Sequence, residues 1–245
     1  MIKLSIPLKE LKAAMLFASQ DGFRYPLNGV CLRVRTSGHI ANLYASDGRR
    51  LACIRSSAEL LEGDIPAEGY NVIIPNQLIK LATPYHKKTS KVELTIEKVE
   101  AISIPGFNDT PRYMLTFSDG KMTVGGRSVD GRFPVLDSVF PKKPMVFAQA
   151  SLCLNARFVG DLHQAASLLK CTNDVPGVSL ATSGVGDVIV ARINGCEAFY
   201  CLIMPIRKDY PEKDNPPLMF NTPMWIDAMA PAPVTQPVPT PCTTP

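Results

Sequence analysis

Lys3–Ala18 reads KLSIPLKELKAAMLFA. It opens as a short strand, turns at Pro7, and continues as a helix from about Leu8 to Ser19, with Leu8, Leu11, Met15 and Ala18 on one face at i, i+3, i+4 spacing. The same order returns twice. Asn71–His86 reads NVIIPNQLIKLATPYH, with a helix expected from about Asn76 to Ala82 and stopped near Pro84. Ser151–Ala166 reads SLCLNARFVGDLHQAA and opens a helix expected from about Ala156 to Leu169, with Asn155 suited to its N-cap and Phe158, Leu162, Ala165 and Leu169 on its apolar face. A supersecondary unit that recurs must bury its apolar face on a neighbouring unit, so the repeat bears on architecture before any motif does.

Working outward, each helix is followed by short strand-like runs bounded by turn residues. After the first come Val30–Arg35, Ile40–Ser46 and Leu51–Ser56, with Asp47-Gly48 as a tight-turn signal. After the second come Val92–Ile96, Ala101–Ile104, Tyr113–Phe117 and Lys121–Gly125, with turns at Phe107–Asp109 and Asp119-Gly120. After the third come Val178–Ala181, Asp187–Ile193 and Ala198–Met204. Residues 211–245 differ: they hold ten of the chain's 22 prolines and end PAPVTQPVPTPCTTP. Proline has no N–H and a fixed φ, so this stretch reads as a mobile tail with polyproline character.

Composition bounds the class. A chain of 245 residues, 46% hydrophobic and 20% charged, is that of an ordinary globular protein of one or two domains. No apolar run reaches the roughly 20 residues needed to span a bilayer, and MIKLSIPLKE lacks a signal-peptide core; the expectation is a cytoplasmic protein with no membrane partner. The seven cysteines form no CxxC pair and read mostly as buried thiols in a reducing compartment. A net charge of +4 permits DNA contact only where the charge is concentrated on one surface. Catalytic patterns are lacking. His39, His86 and His163 show no metal-ligand spacing, there is no GxSxG and no P-loop, and Asp47 and Asp130 precede glycine as turn residues do. Gly125-Gly126 reads as a strand bend. A cysteine-nucleophile enzyme would need a positioned histidine, and none is evident. No enzyme activity, cofactor or metal is expected.

Three segments are more specific than patterning requires: RYPLNG at Arg24–Gly29 followed by ASDGRRLA at Ala45–Ala52, SVDGRFPVLDSVFP at Ser128–Pro141, and YCLIMPIR at Tyr200–Arg207. In this order they resemble the bacterial DNA polymerase III beta subunit, the sliding clamp, whose middle domain has an RYxLNG turn, an ATDGHRLA-like hairpin and a VDGRFPxxxxxxP exit, and whose C-terminus reads as an aromatic followed by VVMPMR. The resemblance covers residues 1–208. It implies an α+β DNA clamp fold: repeated β-α-β-β-β units with helices on one face of antiparallel sheets. It divides the chain into a complete clamp-like domain over residues 1–143, a half domain over residues 144–208 and the proline-rich tail over residues 209–245. A clamp domain holds two such units, so three units make one and a half domains. The expectation is a shortened clamp, of a kind that a phage or other mobile element would encode, with the unpaired half finding a partner across a symmetric homo-oligomeric interface.

The resemblance also implies function. A clamp is a DNA replication processivity factor that encircles double-stranded DNA and binds DNA polymerase and clamp loader through QLxLF-like peptides. DNA contacts would fall on Lys9, Lys12, Lys80, Lys87, Lys88 and Arg157 of the helix units, and on Gln20, Arg24 and Tyr25 of the loop before the LNG turn. Sliding needs phosphate contacts that carry no base information, which such residues supply; a plainly solvated helix face is the competing reading of each lysine. Pro26 stands where clamps often have a second aromatic. The peptide groove maps onto Arg24, Leu27, Ser46, Gly48, Arg49 and Leu51, then Pro134 and Val139, then Leu202, Ile203, Met204, Pro205, Ile206 and Arg207. Leu, Val, Met and Pro offer an apolar slot, with polar groups at its rim. Ser46, Arg49 and Ile206 replace a common Thr, His and Met, and Arg49 would favour peptides with an acidic residue. Plain core is the competing reading of Leu51, Val139 and Leu202. A clamp-derived adaptor or decoy that captures such peptides without encircling DNA is the alternative function. Pro217-Leu218-Met219-Phe220 in the tail loosely resembles the apolar end of a clamp-binding peptide and could occupy the groove itself.

Overall fold

Strand β1 (Ile2–Ile6) alternates as a half-buried strand must: Ile2, Leu4 and Ile6 are fully buried, while Lys3 and Ser5 are half-buried. Pro7 then occupies the N-cap position of α1 (Leu8–Met15). The computed structural model describes residues 1–36, 40–85, 91–99, 111–136, 139–142, 146–147, 154–170, 177–184 and 186–206. All of them lie within one compact unit, Met1–Arg207.

The first unit continues as β2 (Gly29–Val34), β3 (Ala41–Ser46) and β4 (Arg50–Arg55), followed by the short β5 (Glu59–Glu62). The second is β6 (Tyr70–Pro75), α2 (Asn76–Tyr85), β7 (Val92–Val99), β8 (Arg112–Ser118) and β9 (Thr123–Arg127). The two-residue β10 (Val146–Phe147) precedes the third unit, which is α3 (Ala156–Leu169), β11 (Val178–Thr182), β12 (Ile189–Ile193) and β13 (Phe199–Ile203).

The units exchange their first strands. β1 leaves its own unit and pairs antiparallel with β7, from Ile2 opposite Ile96 to Ile6 opposite Val92. β6 in turn pairs with β2, from Gly29 opposite Pro75 to Val34 opposite Tyr70. At Gly29 a Cβ would run into the Ile74 carbonyl of β6, so only glycine permits this approach. Among the described residues the result is a five-stranded sheet, β5-β1-β7-β8-β9, and an eight-stranded sheet, β10-β11-β12-β13-β4-β3-β2-β6, antiparallel throughout. β13 pairs with β4, from Phe199 opposite Ile54 to Ile203 opposite Arg50, and so joins the third unit to the first.

Period-2 alternation divides the eight-stranded sheet into two faces. Leu32, Val34, Leu43, Ala52, Ile54, Phe199, Cys201 and Ile203 enter the main core with Leu11, Ile79 and Leu162 of the three helices. Cys31, Leu51, Ile73, Val190 and Leu202 point the other way and form small clusters under Val129, Phe133, Leu136 and Phe140. The helices therefore share one side of the sheet, α1 packing beside both α2 and α3. The exit segment Ser128–Leu136 lies on the opposite side.

The helix bounds depart from the periodicity in two places. α1 ends at Met15 rather than near Ser19, because Phe17 turns fully into the core against Phe199 (ring centroids 5.8 Å apart) and the Leu16 carbonyl is taken by Arg50. α2 runs on to Tyr85, one residue past Pro84. A proline in the last turn deletes only one intrahelical hydrogen bond. α3 keeps its expected bounds, and Asn155 caps it by accepting from the Arg157 amide at 3.0 Å. β9 starts two residues later than Lys121, and both Gly125 and Gly126 pair in its ladder with β8. β5 and β10 were not expected; both are short edge strands. The Ala101–Ile104 run, the Phe107–Asp109 turn, residues 151–153 of the third unit's first strand, His86 and the proline-rich tail lie outside the described residues. No described helix is long and apolar enough to cross a membrane.

Candidate functional site

The β3–β4 hairpin turns at Asp47-Gly48, where Gly48 takes φ 85°, a conformation costly for residues with a Cβ. The Asp47 carboxylate closes the turn by accepting from the Arg49 and Arg50 amides at 2.9 and 3.1 Å, and Ser46 Oγ accepts from the Gly48 amide at 3.0 Å. The Met204 amide donates to the Arg49 carbonyl at 2.8 Å, fastening the end of β13 beside this turn. Opposite them the exit segment is pinned at both ends. Phe133 and Leu136 pack on Leu51, Val190 and Leu202, Val139 N–H closes a turn onto the Leu136 carbonyl at 2.9 Å, and Phe140 stacks near Tyr200 with centroids 6.0 Å apart.

Between hairpin, β13 and exit segment lies a groove of about 230 Å³ with mostly apolar walls. Leu27, Ser46, Gly48, Arg49, Leu51, Pro134, Val139, Leu202, Ile203 and Met204 all line it. Four further residues complete the wall: Arg50, Phe133, Leu136 and Val188. Val188 was findable, because it stands two residues before Val190 on the same face of β12's strand path. Phe133 and Leu136 sit inside the exit motif, but their direction depends on how that irregular segment lies on the sheet. Pro205 and Ile206 follow β13 without lining the groove, and Arg207 lies outside the described residues. Leu51 and Leu202 are 3% and 2% exposed, so they serve as core as well as floor, whereas Val139 and Met204 are 39% and 45% exposed and form the open rim.

Arg24 is not in the groove. Its Nη1 donates to the Asp47 carbonyl at 2.5 Å, and it faces a second, polar cavity of about 310 Å³. That cavity brings Gln20 and Arg24 from the loop after α1 together with Arg157 from the first turn of α3. Tyr25 is exposed nearby in sequence. Lys9 and Lys80 are exposed, Lys12 is half-buried, and Lys80 Nζ donates to Gln20 Oε1 at 3.3 Å, joining α2 to the same loop. Lys87 and Lys88 lie outside the described residues.

Arg50 stands between the two cavities and lines both. It is 5% exposed. Its Nε donates to Asp47 at 3.0 Å, its Nη2 donates to the Leu16 carbonyl at 2.9 Å, and its guanidinium lies over the rings of Phe17 (4.9 Å) and Phe158 (4.4 Å). Nη1 lies 2.7 Å from Asp161 Oδ2 of α3, an ion pair without hydrogen-bond alignment. A buried cation held by two carboxylates and two ring faces ties the hairpin, the end of α1 and α3 into one piece. Neighbouring arginines suggest an exposed rim; only the fold reveals that Asp161, far along the chain, pairs with one of them.

The described cysteines 31, 53, 196 and 201 are free thiols. Burial pushes Cys31 up to about 11 and Cys53 to about 12, and raises Cys201 further still, so these groups stay protonated and unreactive at neutral pH. Among the described residues no group of three or more His, Cys, Asp or Glu is placed to hold a metal ion.

No family model matches the chain, and no curated protein does. Solved structures do. The DnaN sliding clamp of Pseudomonas aeruginosa bound to griselimycin superposes with a TM-score of 0.57 at 17% identity, over 84% of this chain and 65% of that one. The sliding clamp of Bacillus subtilis gives 0.56 at 18% identity, over 84% and 64%. The DNA polymerase III beta subunit of Thermotoga maritima gives 0.59 at 15% identity, over 85% and 66%. The chain thus has the fold of the bacterial sliding clamps and spans just under two thirds of their length.

Proposed function

We propose that this chain is a sliding-clamp-like processivity factor of DNA replication, acting by binding rather than by catalysis. Its helix side faces duplex DNA, and its groove takes the QLxLF-like peptides of polymerase and clamp loader. The observation that carries the reading is the groove itself: segments from three distant parts of the sequence converge on one apolar slot at the β4–β13 junction, on a fold shared with sliding clamps. A slot of about 230 Å³ suits one or two apolar anchor side chains, and half-exposed Met204 adapts to different ones. Lys9 and Lys80 are exposed on the helices, and Gln20, Arg24 and Arg157 line the neighbouring polar cavity, a set suited to phosphate contacts without base readout.

Peptide binding is tested on the rim rather than the floor. Leu51→Ala would open a cavity in the core, whereas Met204→Ala with Val139→Ala removes exposed apolar surface. The double variant should weaken a fluorescein-labelled QLxLF peptide on the order of tenfold or more without lowering Tm, read by anisotropy and thermal melting. Unchanged affinity would remove the groove from the account. DNA contact is tested by Lys80→Gln and Arg157→Gln, each of which should reduce the salt slope of duplex binding by about one.

The second reading, an adaptor that captures clamp-binding peptides without encircling DNA, is favoured by the groove, whose lining the described residues of one chain supply without any contribution from a second copy. Retention on nicked circular DNA separates the two. A ring stays until the circle is linearised; an adaptor binds peptide and is not retained. Ring closure calls for a homo-oligomer in which the third unit finds its complement in a second copy, so a monomer at high concentration contradicts the ring.

A further inference from the structure

Outside the groove, a further cavity of about 650 Å³ lies on the exit-segment side of the eight-stranded sheet. Four cations line it from separate places: Arg33 on β2, Arg35 just beyond, Lys98 on β7 and Arg132 in the exit segment. Glu68 is the one carboxylate among its lining residues. None of the four cations is ion-paired among the described residues, and the buried Nε of Arg33 has no hydrogen-bond partner. Arg33 is held in place over the Tyr44 ring at 4.8 Å. A buried guanidinium N–H without an acceptor is uncommon, and like charges gathered in a concavity raise a positive potential that only an anion relieves. The cavity touches the groove: Phe133 lines both. Arg33 and Arg35 also line a smaller depression that includes Leu136, another groove residue, so the cations run along the outer side of the groove's wall.

We infer that this basic cavity receives carboxylate side chains that flank the apolar anchors of a peptide held in the groove, so that the preferred partner is an apolar motif beside an acidic stretch. The inference rests on the groove binding a peptide, as proposed above. Guanidinium groups accept carboxylates in two-point contacts, and their placement beside rather than inside the apolar slot lets the charges stay partly solvated, where pairing favours binding without a large desolvation cost.

The test uses the full chain and three labelled peptides sharing a QLSLF core: one with neutral flanks, one with three Asp or Glu residues before the core, and one with them after it. At low salt one acid-flanked peptide should bind on the order of tenfold tighter than the neutral one, and the gain should shrink as salt rises. Arg35→Gln with Arg132→Gln, both at exposed positions, should abolish the gain and leave the neutral peptide's affinity unchanged, which also reports that the variant is folded. Neutral binding with no acidic gain overturns this inference and leaves the groove standing; no binding by any peptide overturns both. Loss of duplex DNA affinity in the double variant with the acidic gain intact would make the cavity a nucleic-acid surface instead, and would equally overturn it.

Discussion

Among the described residues the first two units pair more fully with each other than the third does with its neighbour. There β1 places five residues along β7, and β6 places six along β2, whereas the corresponding edge of β11 is met by the two residues of β10. Burial follows: Gly29–Leu32 of β2 are all buried, while Val178–Ala181 of β11 are all half-buried. The same strand-helix-strand pattern therefore yields a closed core only where a neighbour supplies the exchanged strand. The third unit instead depends on its junction with the first, made of the β13–β4 ladder, the Phe17–Phe199 contact and Arg50.

The sharpest way to break this comparison is Arg50→Ala. It leaves Asp161, whose side chain is 13% exposed, facing only Arg157 at 3.9 Å and strips the cation from between Phe17 and Phe158. Removing one partner of a buried pair costs about 3–5 kcal/mol, so denaturant unfolding should shift by that much, with the third unit loosening first. A shift below about 1 kcal/mol would show that the ladder alone holds the junction.

A smaller effect should appear in the intact protein. Cys31 lies in the first unit and Cys201 in the third, both buried. Under mild denaturant at pH 8, Cys201 should be alkylated about tenfold faster than Cys31, a difference of about 1.4 kcal/mol in opening free energy, resolved by mass spectrometry. Equal rates would make the whole described unit one cooperative block. The raised thiols add a pH dependence. Their contribution to stability is fully present below the ordinary 9.0 and is lost as pH rises through about 11 for Cys31 and about 12 for Cys53, because the unfolded thiols ionise first. Unfolding midpoints should fall across that window, and a flat profile would contradict it. Smallest is Asn155→Ala, which removes the α3 cap and should cost about 1 kcal/mol, expressed in α3 exchange rates before α1 or α2.

What was legible in the sequence was what is local. The repeat, the hairpin at Asp47-Gly48 and the cap at Asn155 follow from period, turn chemistry and capping within a few residues. Strand exchange was not legible, because nothing in β1 states that its partner is β7 rather than a strand of its own unit. Glu10 shows the same limit. This charged residue of α1 is buried, accepting from Ser56 Oγ at 2.6 Å and from the Ser57 amide and hydroxyl, partners more than forty residues away. Ten of the expected groove residues do line the slot, because the motifs carry them as blocks. Arg50 escaped notice because its burial depends on Asp161 and Phe158, more than a hundred residues away.

The central claim is that the β4–β13 junction is a peptide-binding surface, and hydrogen exchange on the full chain with and without a QLxLF peptide tests it most directly. Protection should appear at the amides of residues 46–51, at Val139 and at residues 202–204, with α1, α2 and α3 unchanged. Protection confined to the helices, or none at saturating peptide, would contradict the account.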